Sequence, residues 1–507
     1  MPGKDRSLCY TDRYVPEPLV DENVFLNMKP DRSYPRNFPE SRAALPEPFW
    51  EGHESAIECY WKAWDLAFRN CKRVLRGNGF IAPYIDTAFN DCIFMWDSSF
   101  ILMFAKYGRR AFEFQRTLDN FYAVQHPDGF ITRELQEWNG NDRFHRYDPV
   151  STGPNLMPWC EWEYFLNFGD KDRLAKIFPP LLAYYHWTRH HRTWPDGSYW
   201  SSGWGCGMDN QPRIPGAVNP QFVHGHMAWI DATAQAVLAG KMLVRMAKVL
   251  GRAKDTRDIV AEMKTLAAYM NARMWREDTK FYSDRFRDGK VSSVKSIAAY
   301  WTLLAGVVPP KRLKPFVAHL CDRKTFNRPH RVPTLSADNP EYKATGGYWQ
   351  GGVWPPTNYM ILRGLTETGF DDLAADVARN HYDNVLKVFE RTGTFWENYA
   401  PEKAAPGKPA MHDFVGWSGL GPISIFFEYV LGLRPSVPDK RIVWDIRLTE
   451  AHGVSRYPFG PTGTLDLRCE RRKRPTEEPR ITVHGNVDVK VDLRWHGGRK
   501  LVKCSRL

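Results

Sequence analysis

Apolar residues recur at intervals of three and four from about Glu54 to Leu433, as in Leu181 to Arg192 and Ile230 to Leu250, and this spacing predicts amphipathic helices. Loops rich in Gly, Pro, Asp and Trp separate them. After Leu433 the period drops to two. Arg441-Ile442-Val443-Trp444-Asp445-Ile446, Thr464-Leu465-Asp466-Leu467-Arg468 and Val487-Asp488-Val489-Lys490-Val491-Asp492-Leu493 alternate apolar with polar residues and are rich in β-branched side chains, so they predict strands. This stretch suffices for a small antiparallel sheet or sandwich. Before Glu54, Pro16, Pro18, Pro30, Pro35, Pro39, Pro46 and Pro48 interrupt any helix, which leaves a leader or strap and not a domain.

Three segments share one pattern, a short turn, an acidic helix start and then an amphipathic helix: Phe168-Gly169-Asp170-Lys171-Asp172-Arg173-Leu174, Leu250-Gly251-Arg252-Ala253-Lys254-Asp255 and Thr368-Gly369-Phe370-Asp371-Asp372-Leu373. A long helical pattern flanks each turn on both sides. The turn glycines are 82 and then 118 residues apart, too irregular for a solenoid of fixed period. The expected fold is therefore mainly α: a leader over 1–53, a closed toroid of helical hairpins over 54–435 with its variable loops at one end, and a small β-rich, sandwich-like domain over 436–507.

Composition narrows the function more than the fold. Hydrophobic residues at 43% and charged residues at 25% exclude a disordered chain. Aromatic residues reach 14%, with 20 tryptophans, and flat rings with a polar handle are suited to stacking on sugars. The net charge of +12 raises the question of nucleic acid, but the stretch Ser436 to Leu507 alone carries 16 Lys/Arg against 9 Asp/Glu. With no recognised binding motif beside Arg471-Arg472-Lys473-Arg474, this reads as a surface charge run, and no nucleic-acid partner is expected. Nine cysteines without paired metal-ligand spacing suggest reduced thiols. The opening Met1-Pro2-Gly3-Lys4-Asp5-Arg6 resembles no signal peptide and no run of 18 apolar residues occurs, so a cytoplasmic protein without a membrane partner is expected.

Hydrolysing a glycoside by direct displacement needs a protonated carboxyl beside the leaving oxygen and an ionised one to activate water on the opposite face. Candidate acids should lie in aromatic, glycine-rich loops. In Phe94-Met95-Trp96-Asp97-Ser98-Ser99-Phe100, Asp97 opens an apolar helix, either as a helix cap or as a site residue. The loop Trp194 to Arg213 interleaves Trp194, Trp200 and Trp204 with Gly and Ser. Its Asp196 belongs to a Pro-Asp-Gly turn, leaving Asp209 as the candidate acid or else a helix cap, while Arg213 could orient a carboxylate or a substrate oxygen. Glu397 sits among aromatic residues in Gly393-Thr394-Phe395-Trp396-Glu397-Asn398-Tyr399. Gly346-Gly347-Tyr348-Trp349-Gln350-Gly351-Gly352-Val353-Trp354 has no acid and reads as a sugar platform, not a phosphate loop.

These residues resemble the inverting glycosidases of glycoside hydrolase family 63 and the trehalase-related clan of (α/α)6 barrels, especially the short bacterial members acting on mannosylglycerate or glucosylglycerate. The resemblance spans roughly Cys92 to Leu433. It rests on Trp96-Asp97, Gly207-Met208-Asp209-Asn210 with Pro212-Arg213, Ile230-Asp231 with Gln235, Tyr348-Trp349-Gln350-Gly351 with Val353-Trp354, and Trp396-Glu397-Asn398-Tyr399 followed by Gly416-Trp417-Ser418. Cys206 and Gln211 depart from it, standing where serines are expected. The resemblance implies an (α/α)6 toroid, an α-linked substrate, inversion, Asp209 as general acid, Glu397 as general base and Asp97 as a binder of sugar hydroxyls. The substrate-facing surface is then expected to comprise Asp97, Trp96, Trp204, Arg213, Tyr348, Trp349, Gln350, Gly351, Trp354, Trp396, Tyr399 and Trp417.

Two other classes fit part of the pattern. A sugar epimerase on a helical toroid would use paired histidines, for which His224 and His226 are the candidates, although histidines at a helix entry often serve only as hydrogen-bonding core residues. A non-catalytic carbohydrate-binding protein would keep the aromatic loops without working acids. No H-E-x-x-H or clustered ligand set occurs, so no metal and no organic cofactor is expected. The expected partner is a small carbohydrate.

Overall fold

The protein is described by a computed structural model over residues 14–504 apart from Phe89 and Val218; the opening Met1 to Arg6 and Cys9 lie outside the described residues. The three turn patterns each join two helices. Met157–Phe168 ends on Gly169 at φ 65°, and Asp170 caps Lys171–His191 by accepting the Arg173 N–H at 2.9 Å. Ile230–Leu250 ends on Gly251 at φ 72°, ahead of Arg257–Arg273. Pro355–Glu367 passes through Gly369, φ 80°, into Asp371–Thr392. Glycine enters this left-handed backbone without a Cβ clash, so each turn can stop one helix and release the next.

The helices contact one another in a circuit. Met95–Ala105 packs on Met157–Phe168, which packs on Ile230–Leu250; that helix meets Trp301–Ala305, which meets Pro355–Glu367. The segments Trp417–Leu420 and Gly421–Val430, the second wound as a wide π-type helix, return to Met95–Ala105. Glu54–Arg69, Lys171–His191, Arg257–Arg273 and Asp371–Thr392 pack against members of this circuit. Within it, Arg363 reaches Glu163 at 2.7 Å and Glu428 at 3.0 Å, and Lys106 lies 3.5 Å from Glu428. Two buried cations thus offset two buried anions, as burial demands.

Strands fill the C-terminal part in two four-stranded sheets. One has the order Leu433–Ser436, Arg441–Asp445, Val489–Trp495, Gly498–Cys504, with its middle pair parallel. The other runs Glu47–Trp50, His452–Pro458, Thr464–Cys469, Ile481–Gly485, antiparallel throughout. Its first strand comes from the proline-rich leader: Glu47 pairs with Ser455 and Trp50 with His452. The strands dock on the helices through Tyr457, whose ring meets Tyr107 and Phe427, and through the Arg447–Asp372 ion pair at 2.7 Å.

The basic run at 471–474 is only partly a surface feature. Arg472 is 5% exposed and donates to the carbonyls of Ile446, Leu448, Pro475 and Glu477, while Arg471 pairs with Glu51. Much of the tail's positive charge is likewise used internally, since Arg441, Arg494 and Arg499 all converge on Asp492. The cysteines among the described residues form no disulfide, and no described helix is long and apolar enough to cross a membrane.

Candidate active site

Asp97 is the third residue of Met95–Ala105; Phe94 occupies the cap position, so Asp97 is not the N-cap. That helix starts where strand Cys92–Phe94 pairs with Glu134–Gln136, Phe94 lying opposite Glu134, and the Met95 N–H donates to the Arg133 carbonyl at 2.9 Å. Asp97 is 5% exposed. Burial pushes its carboxyl well above the usual range; Glu134 and Asp209 add to the rise and Arg133 opposes it.

Asp209 is carried by a loop pinned at several points. Asp196 turns the loop by accepting from the Ser198 N–H and hydroxyl. Gly207, at φ 76°, lies so close to Trp96 that a Cβ there would come within 3.2 Å of the indole. Asn210 donates to the Gly347 carbonyl at 3.0 Å and accepts the Trp349 N–H at 2.9 Å, clasping this loop to the next. Gln211 donates to the Thr334 carbonyl and accepts from the Ser296 hydroxyl, a bridge too long for the serine expected there. Burial lifts Asp209 to about 6, with Arg133 pulling it back and Glu134 pushing it up.

Glu397 is 2% exposed and held from both ends. Its backbone N–H donates to the Met411 carbonyl and its carbonyl accepts the Trp417 indole N–H, while the carboxylate accepts the Met411 N–H at 3.1 Å and the Tyr348 hydroxyl at 3.1 Å. Burial raises this carboxyl to about 7; Met411 and Tyr348 favour its ionised form and the charge of Asp209 opposes it. Tyr348 sits in left-handed backbone at φ 64° and feels Asp97, Asp209 and Glu397 together. The helix that carries Asp97 and the loops that carry Asp209 and Glu397 therefore bring Asp209 within electrostatic reach of the other two, and all three within reach of one phenol.

Several residues expected to face the substrate do not. Arg213, 1% exposed, has every guanidinium nitrogen engaged with Asp231 and Asp284 at 2.6–2.8 Å, so it ties helix Ile230–Leu250 to its neighbouring loop. Trp354 has no exposed surface and stacks on Trp349 with centroids 3.7 Å apart, so this pair forms a wall and not an open platform. Tyr399 is 1% exposed and accepts the Trp396 N–H, its ring turned toward His330. Gly351 is a conformational residue: at φ 139° a Cβ would strike the Tyr342 ring. Gln350 reaches Glu341, Trp396 reaches Thr392, and Trp204 packs on Phe222, Phe144 and Arg133. Trp96 lines the site through Gly207, and Trp417 acts on the Glu397 backbone. His224 and His226 pack on each other and on Trp194, and neither is among the groups acting on the three acids. Among the described residues no group of three or more His, Cys, Asp or Glu could hold a metal.

Arg133 and Glu134 are site residues that the sequence reading passes over. They lie in Phe130-Ile131-Thr132-Arg133-Glu134-Leu135, outside any aromatic and glycine-rich loop. The faint signal is an opposite-charge pair inside an apolar run just after a Pro-Asp-Gly turn.

Comparison with known proteins supplies a family and a fold. Residues 92–418 match the mannosylglycerate hydrolase MGH1-like glycoside hydrolase domain. The chain is 23% identical over 391 residues to an uncharacterized protein of Borreliella burgdorferi, covering 75% of this chain and 79% of that one. It is 23% identical over 383 residues to the mannosylglycerate hydrolase of Thermus thermophilus, covering 61% and 88%. The crystal structure of a GH63 mannosylglycerate hydrolase from Thermus thermophilus in complex with glucose superposes with a TM-score of 0.59 at 20% identity, covering 73% of this chain and 99% of that one.

Proposed function

Because the chain belongs to the mannosylglycerate hydrolase MGH1-like glycoside hydrolase family and is an O-glycosidase, we propose that it removes an α-linked glucosyl or mannosyl residue from an oligosaccharide or a glycosylglycerate-type conjugate, with inversion. Asp209 donates a proton to the leaving oxygen. Glu397 takes a proton from water, whose oxygen attacks the anomeric carbon from the opposite face, and Asp97 grips hydroxyls of the sugar being released. The helical circuit is read as an (α/α)6 toroid over 54–435, and the strands over 436–507 as its β-rich partner domain, to which residues 47–50 contribute.

One observation carries this reading: separate loops deliver Asp209 and Glu397 to the same place, and burial lifts both carboxyls to where protons move near neutral pH. Their order favours a second reading, in which Glu397 donates and Asp209 activates water, because the proton is held more tightly on Glu397. In either case kcat/KM should trace a bell against pH, with these two acids setting its limbs. Proton NMR in the first minutes of hydrolysis tests the displacement. The released sugar is expected as the anomer opposite to that of the substrate, and initial appearance of the retained anomer would overturn the mechanism. A panel of α-glycosides and glycosylglycerates, with products weighed by mass spectrometry, identifies the sugar and its partner.

A further inference from the structure

Arg133 touches every segment that builds the acid end of the site. Its backbone N–H donates to the Ser151 carbonyl at 2.8 Å, and its carbonyl receives Met95, two residues ahead of Asp97. Its Nη1 donates to the Trp204 carbonyl at 2.6 Å, in the loop that carries Asp209, and its Nη2 pairs with Glu134. The guanidinium lies over the Trp204 ring at 5.6 Å and the Phe144 ring at 5.3 Å. Gly153 accommodates the stem, since a Cβ there would sit 3.0 Å from the Arg133 Cγ. The residue is 8% exposed and its Nε is buried without a partner. A planar fork that holds the neighbouring Glu134 with one terminal nitrogen and the Trp204 carbonyl with the other braces its own segment to the loop of Asp209, a geometry that a single ammonium cannot reproduce.

We infer that Arg133, counterweighted by Glu134, is a positioning residue that seats Asp209 against Asp97 and sets how tightly Asp209 holds its proton. The charged and titratable groups facing Asp209 are Arg133, just before strand Glu134–Gln136, and Glu134 within it, Asp97 from the helix, Tyr348 and Glu397 from the later loops, and Cys206 of its own loop. Arg133 is the one cation in that set. It favours the carboxylate of Asp209, and Glu134 favours the acid, so the pair works as opposed weights on a single proton. The inference rests on the reading of Asp209 as one of the two working acids.

The test uses the full chain, the pH profile of kcat/KM and three variants. Arg133→Met removes the cation, so Asp209 holds its proton to higher pH and the centre of the bell should rise by about half a unit, half of the roughly one-unit shift a close opposite charge imposes on one of two limbs. Glu134→Gln keeps an acceptor for Arg133 but removes the anion, so the centre should fall by a similar amount. Arg133→Lys keeps the charge and loses the fork; its centre should stay while kcat/KM drops about tenfold or more through misplacement of Asp209. A residue that merely supported the fold would lower the melting temperature and leave the centre of the bell unmoved. Should Arg133→Met fail to fold by circular dichroism, the other two variants still decide. The inference is overturned if the centre stays put in Glu134→Gln, or if the two charge-removing variants shift it the same way. Full activity in Asp209→Asn would instead refute the reading of Asp209 itself, which separates the two failures.

Discussion

Removing any of the three site carboxylates should slow the enzyme, so the informative quantity is how the loss varies with the leaving group. Asp209→Asn is expected nearly to abolish hydrolysis of alkyl and sugar glycosides yet to spare much of the turnover of activated aryl glycosides or glycosyl fluorides. Glu397→Gln should fail on both by about a hundredfold or more. Selective rescue in Glu397→Gln, and not in Asp209→Asn, would exchange their roles. With Asp209 near 6 and Glu397 near 7, the bell should be centred between those values; there Asp209 is mostly ionised and Glu397 mostly protonated, so a donor Asp209 with a base Glu397 is the minor singly protonated form. Tyr348→Phe deletes a donor that favours the ionised Glu397, so the pKa of Glu397 rises and the centre should move to higher pH, measurable in the same kcat/KM profile. Asp209 and Glu397 stand out in the sequence as candidates because each lies among aromatic residues and glycines, and Asp97 because it follows Trp96 at the opening of an apolar helix. Arg133 and Glu134 do not, because it takes the pairing of strand Cys92–Phe94 with Glu134–Gln136 to bring them to the helix of Asp97. Arg213 misleads for the converse reason: it is four residues from Asp209 in sequence, yet its guanidinium is wholly engaged by Asp231 and Asp284.

At the level of elements, helices with clear punctuation can be read almost to the residue. Ile230–Leu250 has an unbroken apolar stripe and a terminal glycine, and it forms over the span expected. Lys171–His191 begins where the acidic start after Gly169 predicts and continues through the stretch from Leu181, although Pro179 and Pro180 lie within it and interrupt the pattern between those two signals. The short strand Glu47–Trp50 is invisible for a related reason. Proline normally argues against a strand, but at a sheet edge its missing N–H costs no ladder bond, and Pro48 occupies such an edge. Turns also carry function here. Gly207→Ala would force an L-residue into left-handed backbone at a cost of about 1–2 kcal/mol and press a methyl group on Trp96. The expected result is a modest fall in melting temperature with a larger fall in kcat/KM, because the loop of Asp209 shifts relative to Asp97; a fall in stability alone would show that the loop tolerates the displacement.

For the whole molecule, the strands and the helices are coupled by more than a linker. Val437 packs at 3.0 Å from where a Cβ on Gly169 would lie, Arg447 pairs with Asp372, and the buried apolar residues of both parts belong to one continuous cluster. Truncation after Ser436 is therefore expected to yield insoluble or strongly destabilised protein rather than an active helical fragment, as judged by soluble yield and thermal melting. Deleting residues 1–50 should lower the melting temperature as well, since it strips the edge from His452–Pro458. A truncated chain that stays soluble and melts like the parent would mean that the strands are a dispensable appendage.

The edge strand at 47–50 also has a history in time. The Ala451 N–H donates to the Glu51 carboxylate across a sequence separation of 400 residues, beside a strand pair that spans a similar distance. A ribosome adding roughly 5–20 residues per second needs on the order of 20–80 s to cross that interval. For all of it, Glu47-Pro48-Phe49-Trp50 has emerged and its mate has not been made. A bare hydrophobic strand would be open to any other nascent chain during that wait. Pro48, which leaves no donor for a second partner, and the charge of Glu47 therefore serve the newborn chain as much as the finished one: they keep the segment unclaimed until His452–Pro458 arrives.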